Sequence, residues 1–121
     1  MYTFSFEKLE VWQLSRKLSV SIYKTTASFP SEEQYGLISQ LRRASVSVSV
    51  SSNIAEGNSR FSQKDKAHFF EMSFSSLMEV MNQLVISFDL GFIPNETLNI
   101  YRKNIAELSN KLNALHKSIV K

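Results

Sequence analysis

The chain has 121 residues, 43% of them apolar and 21% charged, with 14 Lys and Arg against 11 Asp and Glu and a formal charge of +3. That length and balance suit one globular domain with a real core. The absence of cysteine excludes disulfides and thiolate chemistry, and no apolar run approaches a membrane span. Three glycines and two prolines leave little punctuation for a many-stranded fold. The opening MYTFSFEKLEVWQ has no basic-then-apolar signal region, so a cytoplasmic location is expected, without membrane contact.

Four helices are expected, at about 6–28, 32–57, 63–90 and 96–120. Ser5 is placed to cap the first, which carries the stripe Val11, Leu14, Leu18, Ile22 and Thr25. Pro30 should stop it, because a proline disfavours helical geometry at the preceding residue. SEEQ, from Ser31 to Gln34, reads as a capping box opening the second helix. Gly57 offers that helix a left-handed end. SQKD, from Ser62 to Asp65, opens the third, whose stripe is Phe70, Phe74, Leu77, Met81, Leu84 and Phe88. Gly91 and Pro94 end it, and Asn95 is placed to cap the fourth. There Leu98, Tyr101, Ile105, Leu108, Leu112, Leu115 and Ile119 alternate steps of three and four, the seam of left-handed helix packing. Short connections between long helices favour antiparallel neighbours. The expected fold is all-α, an up-down-up-down left-handed four-helix bundle in a single domain spanning 1–121.

SVSVSVSS, Ser45 to Ser52, alternates like a strand. A lone strand would leave its backbone groups unpaired, so helix is the better reading. Leu41, Ser45, Val48, Ser52 and Ala55 can then face the core. Val46, Val50 and Ile54 form a second apolar stripe, and a helix apolar on two sides is buried on two sides. A bundle covers only one, so the second stripe is expected at a homo-oligomer interface, together with Arg42, Arg43 and Asn53.

LEVWQ (Leu9 to Gln13), IYKTT (Ile22 to Thr26), FPSEEQYGLISQLRRAS (Phe29 to Ser45), SNIAEGNSR (Ser52 to Arg60) and LGFI (Leu90 to Ile93) resemble the four-helix bundle family of 23S ribosomal RNA intervening-sequence proteins. The resemblance covers nearly the whole chain. It implies a bacterial cytoplasmic protein, an antiparallel bundle, a ring-shaped homopentamer and no enzymatic activity. The family takes its name from reading frames inside insertions in large-subunit rRNA genes. Related bundles are accessory proteins of diversity-generating retroelements and are thought to bind nucleic acid. One departure stands out: this chain has about two more residues than the family pattern between RRA and NIAEG. The added Ser-Val unit turns the downstream residues by about 200° on a regular helix. Either a local bulge absorbs it or the second stripe is displaced.

The chemistry-bearing residues point away from catalysis. There is no phosphate-binding glycine loop and no zinc-spaced ligand cluster. Asp65, His68 and Glu71 share a helix edge at steps of three, but a di-iron bundle needs a second such motif, which is missing. No metal and no cofactor is expected, and a metal-dependent bundle enzyme is a remote alternative. His116 has no acid at matching spacing and reads as a surface residue. The charges are more informative. On an antiparallel bundle one end carries Lys8, Arg60, Lys64, Lys66, Lys117 and Lys121 against Glu7, Glu10, Glu56 and Asp65. The other carries Lys24 against Glu32, Glu33, Asp89 and Glu96. A basic rim of this kind suits RNA or other nucleic acid, bound without sequence preference. No aromatic stacking platform is visible. A protein-binding scaffold is the alternative.

Overall fold

In a computed structural model the chain is all-helical. Residues 2–47 and 50–120 are described, with backbone alone at 46 and 47, and no strand occurs among the described residues. A 3-10 turn, Ser5–Lys8, leads into α1 (Glu10–Thr26). A second, Ser31–Glu33, precedes α2 (Leu37–Arg42), a π-helical segment (Arg43–Ser47) and α3 (Val50–Ser59). Two long helices come next, α4 (Gln63–Asp89) and α5 (Asn95–Ile119). Of the four expected rods, the second is broken into pieces.

Several helix ends differ from the local sequence signals. Ser5 does not cap α1; the chain first makes its 3-10 turn, and Leu9 occupies the cap position. The SEEQ capping box does not form, because the backbone after Pro30 turns too tightly, as 3-10. The Glu33 carboxylate instead accepts from the Leu37 amide at 3.2 Å, satisfying one of the free donors that open α2. Pro94 holds the cap position of α5, so Asn95 is already inside the helix. Ser62 behaves as expected: its hydroxyl accepts from the Asp65 amide at 3.0 Å. Gly91, at φ +80°, is the one left-handed residue among those described, and it ends α4. Gly57 is right-handed and buried inside α3. A side chain there would meet Phe69 Cβ and the Phe70 ring at 2.9 Å, so this glycine lets α3 lie close against α4.

The broken rod answers the alternating stretch. Leu41, Ala44 and Ser45 are buried before the break, and Val50, Asn53 and Ile54 after it. Each member of the second trio lies nine positions after its counterpart. Nine residues of regular helix turn by about 900°, which would put the two trios on opposite faces. Seven residues turn by about 700°, nearly whole turns. The chain therefore absorbs two residues between the trios, and the π segment is where the widening begins. Val50 and Ile54 are consequently core residues, each 0% exposed in the single chain. The expected second stripe is not a free face at these positions. Val48, expected in the core, lies outside the described residues.

Hydroxyls cover the disturbed backbone. Ser19 of α1 donates to the Ser45 carbonyl at 2.7 Å, and Ser73 of α4 donates to the Val50 carbonyl at 2.8 Å. Ser45 itself donates to the Arg42 carbonyl at 3.2 Å. Ser45 lies in the π segment, while Val50 opens α3, so the bond from Ser73 is a second one on a helical carbonyl.

The seams otherwise match the sequence pattern. Phe70, Leu77 and Leu84 of α4 are buried, flanked by half-buried Phe74, Met81 and Phe88. Leu98, Tyr101, Ile105, Leu108 and Leu112 line α5, and Val11, Leu18 and Ile22 line α1. The Tyr101 hydroxyl sits 2.6 Å from Thr25 Oγ1 and 2.9 Å from Ser21 Oγ. Farther along the same pair of helices, Lys111 bonds Glu10 at 2.9 Å. That hydrogen bond, then the charge of Glu10, holds the Lys111 ammonium above its usual value, with burial acting in the opposite direction. The small contribution of this exposed pair is present at neutral pH and is lost as pH rises through the raised lysine value.

The phase argument predicts the effect of shortening the break. Deleting residues 48 and 49 together restores the seven-position step, and the thermal midpoint should stay within a few degrees of the parent. Deleting residue 49 alone turns everything downstream by about 100°. That takes Val50 and Ile54 out of the core, with a loss of at least about 2–5 kcal/mol. Circular-dichroism melts compare the two; equal destabilisation would refute the phasing.

Candidate nucleic-acid interface

One end of the molecule gathers cations from four segments. Asn58 donates to Ser5 Oγ at 2.8 Å, joining the end of α3 to the turn before α1. His116 Nε2 lies 2.9 Å from Glu71 Oε2, joining the last turns of α5 to the first turns of α4. A shallow groove of about 440 Å³ runs between Lys64 and His68 on one side and Ile119 and Val120 on the other. Lys8, Arg60, Lys64 and Lys117 are exposed at this end. Lys66 is half-buried, and its ammonium donates to the Asn58 carbonyl at 2.9 Å, so it ties the loop to α4. The Arg60 guanidinium lies over the Phe69 ring, 4.4 Å from its centroid. Phe61, beside it, is fully exposed. Lys121 lies outside the described residues.

The opposite end is acidic. Phe29 and Phe92 pack at 5.3 Å where the connections after α1 and α4 meet. Glu32, Asp89 and Glu96 are exposed around them and Glu33 is half-buried, with Lys24 nearby at the end of α1.

Residues expected at an interface are mostly occupied inside the chain. Arg42 Nε donates to Thr26 Oγ1 at 2.9 Å, and its guanidinium stacks 4.5 Å from the Tyr23 centroid. It fastens α2 to α1. Asn53, Val50 and Ile54 are buried. Arg43 is exposed and also has a partner of its own. The side chain of Val46 lies outside the described residues.

The open apolar surface is elsewhere, on α1. Val20 is 50% and Tyr23 45% exposed, beside half-buried Trp12, whose ring carries the Arg16 guanidinium at 5.6 Å. With Ser19 and Ser51 they line a groove of about 510 Å³ between α1 and α3. Sequence periodicity missed this because Val20 and Tyr23 fall off the core stripe of α1. It also missed the acid facing His116, which is 45 positions away. Asp65, His68 and Glu71 do not join into a metal-holding group among the described residues, and Glu71 is engaged by His116.

These features define an all-helical bundle of four rods, with exposed Lys8, Arg60, Lys64 and Lys117 at one end among Glu7, Glu10, Glu56, Asp65 and Glu71. The chain matches the model of the 23S rRNA-intervening sequence protein family over residues 7–114. It belongs to that family. A crystal structure at 1.70 Å of a protein of unknown function, from the S23 ribosomal protein family of Bacteroides thetaiotaomicron, has the same fold, with a TM-score of 0.79. The two are 18% identical, and the match covers 88% of this chain and 95% of that one. No curated protein matches the chain. No helix among the described residues is long and apolar enough to cross a membrane.

Replacing Arg42 by Ala removes a hydrogen bond from a charged donor and exposes the Tyr23 ring. Urea unfolding should show a loss of about 1.5–3 kcal/mol. An unchanged midpoint would mean that Arg42 does not hold α2 to α1.

Proposed function

We propose that this family member is a non-catalytic bundle that binds RNA or another nucleic acid through its basic end, without sequence preference. The reading takes the four rods as an up-down-up-down, left-handed bundle. The cross-pairs Ser19–Ser45, Ser73–Val50, Glu71–His116 and Glu10–Lys111 support the alternating direction. The observation that carries the function is the contrast of ends. Exposed Lys8, Arg60, Lys64 and Lys117 come together at one end, interspersed with Glu10, Glu56, Asp65 and Glu71, whereas Glu32, Asp89 and Glu96 stand at the other with Lys24. Phosphates meeting such a cluster release counterions, so binding should weaken steeply with salt.

The chain is further proposed to self-associate, as a cytoplasmic ring. Its contact would be the α1 groove, because Val50 and Ile54 are consumed by the core. Val20 and Tyr23 give that groove apolar surface open to a second copy. The number five comes from the family resemblance alone.

Two measurements test these readings. Reversing Arg60, Lys64 and Lys117 to Glu should weaken RNA binding on all sequences alike and flatten the salt slope by about one unit per lost contact. Reversing Lys103, on the first half of α5, should do much less per charge. Equal losses per charge, or no binding by the parent, would favour a protein-binding scaffold. For assembly, Val20→Glu should turn the oligomer into a helical monomer by light scattering. A parent chain that is monomeric at micromolar concentration would remove the self-association reading.

A further inference from the structure

The loop between α3 and α4 presents one residue that neither packing nor the cation cluster explains. Phe61 is 103% exposed, the most open large apolar side chain among the described residues. Its neighbours are fixed. The Arg60 amide donates to the Gly57 carbonyl at 3.1 Å, and the Arg60 guanidinium rests on the Phe69 ring. On the other side Ser62 caps α4 through the Asp65 amide, and Lys66 reaches back to the Asn58 carbonyl. The loop is thus held before and after Phe61, and the ring projects from a braced base. Preorganisation of this kind lowers the ordering penalty of binding.

A single exposed phenylalanine is ordinary on most surfaces. Here its position gives it meaning. Arg60 precedes it, Lys64 follows three positions on as the second residue of α4, and Lys8 lies on the segment that Asn58 ties to this loop. Glu7, Glu10, Glu56, Asp65 and Glu71 share the end, so phosphates would meet individual cations rather than a uniform positive field. An exposed aromatic ring set among cations is the combination that grips single strands. Cations track the backbone while the ring stacks on an unpaired base. In a duplex the base faces are already covered by their neighbours. A-form RNA presents phosphates and 2′-hydroxyls to a protein surface rather than base faces.

We infer that the basic end prefers single-stranded nucleic acid, with Phe61 as the ring on which a base stacks and Arg60 and Lys64 as flanking phosphate contacts. The inference rests on the proposed nucleic-acid function and specifies its ligand class.

The test uses the full chain with two fluorescent probes, an unstructured single-stranded RNA and a duplex RNA of equal length, titrated by anisotropy. Phe61→Ala should weaken single-strand binding about tenfold and leave duplex binding unchanged, while Phe61→Trp should restore it. Lys64→Glu should weaken both. Thermal melts of the Phe61 variants should match the parent, because the side chain packs against nothing. If Phe61→Ala weakens neither probe while Lys64→Glu weakens both, the basic end binds phosphate without stacking and this inference fails alone. Equal weakening of both probes by Phe61→Ala would also overturn it. If the parent binds neither probe, the nucleic-acid reading itself falls, and Phe61 becomes a contact for a protein.

Discussion

A two-residue excess in the second rod has to be hidden, and serine hydroxyls from α1 and α4 tie the chain on either side of it to its neighbours. Leu41, Ala44 and Ser45 must share a face with Val50, Asn53 and Ile54, yet they are out of phase on any regular helix. The π segment begins to widen the helix. Ser19 from α1 and Ser73 from α4 reach carbonyls on either side of the break. With both sides tied, the second half of the rod presents Val50 and Ile54 inward. The same placement brings Gly57 close against Phe69 and Phe70 of α4.

That approach sets up the basic end. Once α3 lies against α4, the loop between them is short and tightly tied, and it delivers Arg60, Phe61 and Lys64 to one edge. Asn58 and Ser5 bring Lys8 to the same edge, and Glu71 and His116 bring Lys117. The meeting of these cations at one edge is thus a consequence of helix pairing. Along the sequence the same cations are scattered over more than a hundred positions.

The candidate site is partly legible in the sequence. Lys8, Arg60, Lys64 and Lys117 can be assigned to one end because an antiparallel bundle sorts helix termini by connection order. Lys66 is assigned with them by the same rule, but its ammonium turns inward to Asn58, a choice made by local geometry. Phe61 escapes a reading by periodicity because it belongs to no stripe, and only its exposure beside Arg60 gives it a role. The open surface of α1 escapes for a related reason. Periodicity identifies the side that packs, whereas Val20 and Tyr23 matter because about half of each stays open to solvent.

What the sequence by itself determined is the four rods and the buried faces of α1, α4 and α5. The three-four stripes of α4 and α5 and the helix-ending signals at Ser62 and Gly91 needed no tertiary information, since they act within a few residues along the chain. Only the tertiary structure decided the register across the Ser-Val stretch. Locally, Val46, Val50 and Ile54 make as good a stripe as any, and a regular helix would expose it. The core contacts of Ile54 and the hydroxyls of Ser19 and Ser73 come from distant parts of the chain, and they select the broken helix over the straight one. Burial and hydrogen bonding between helices outweigh the preference of one helix for a regular turn, because a full apolar side chain in the core contributes about 1.5–3 kcal/mol and the break can be hydrogen-bonded from outside.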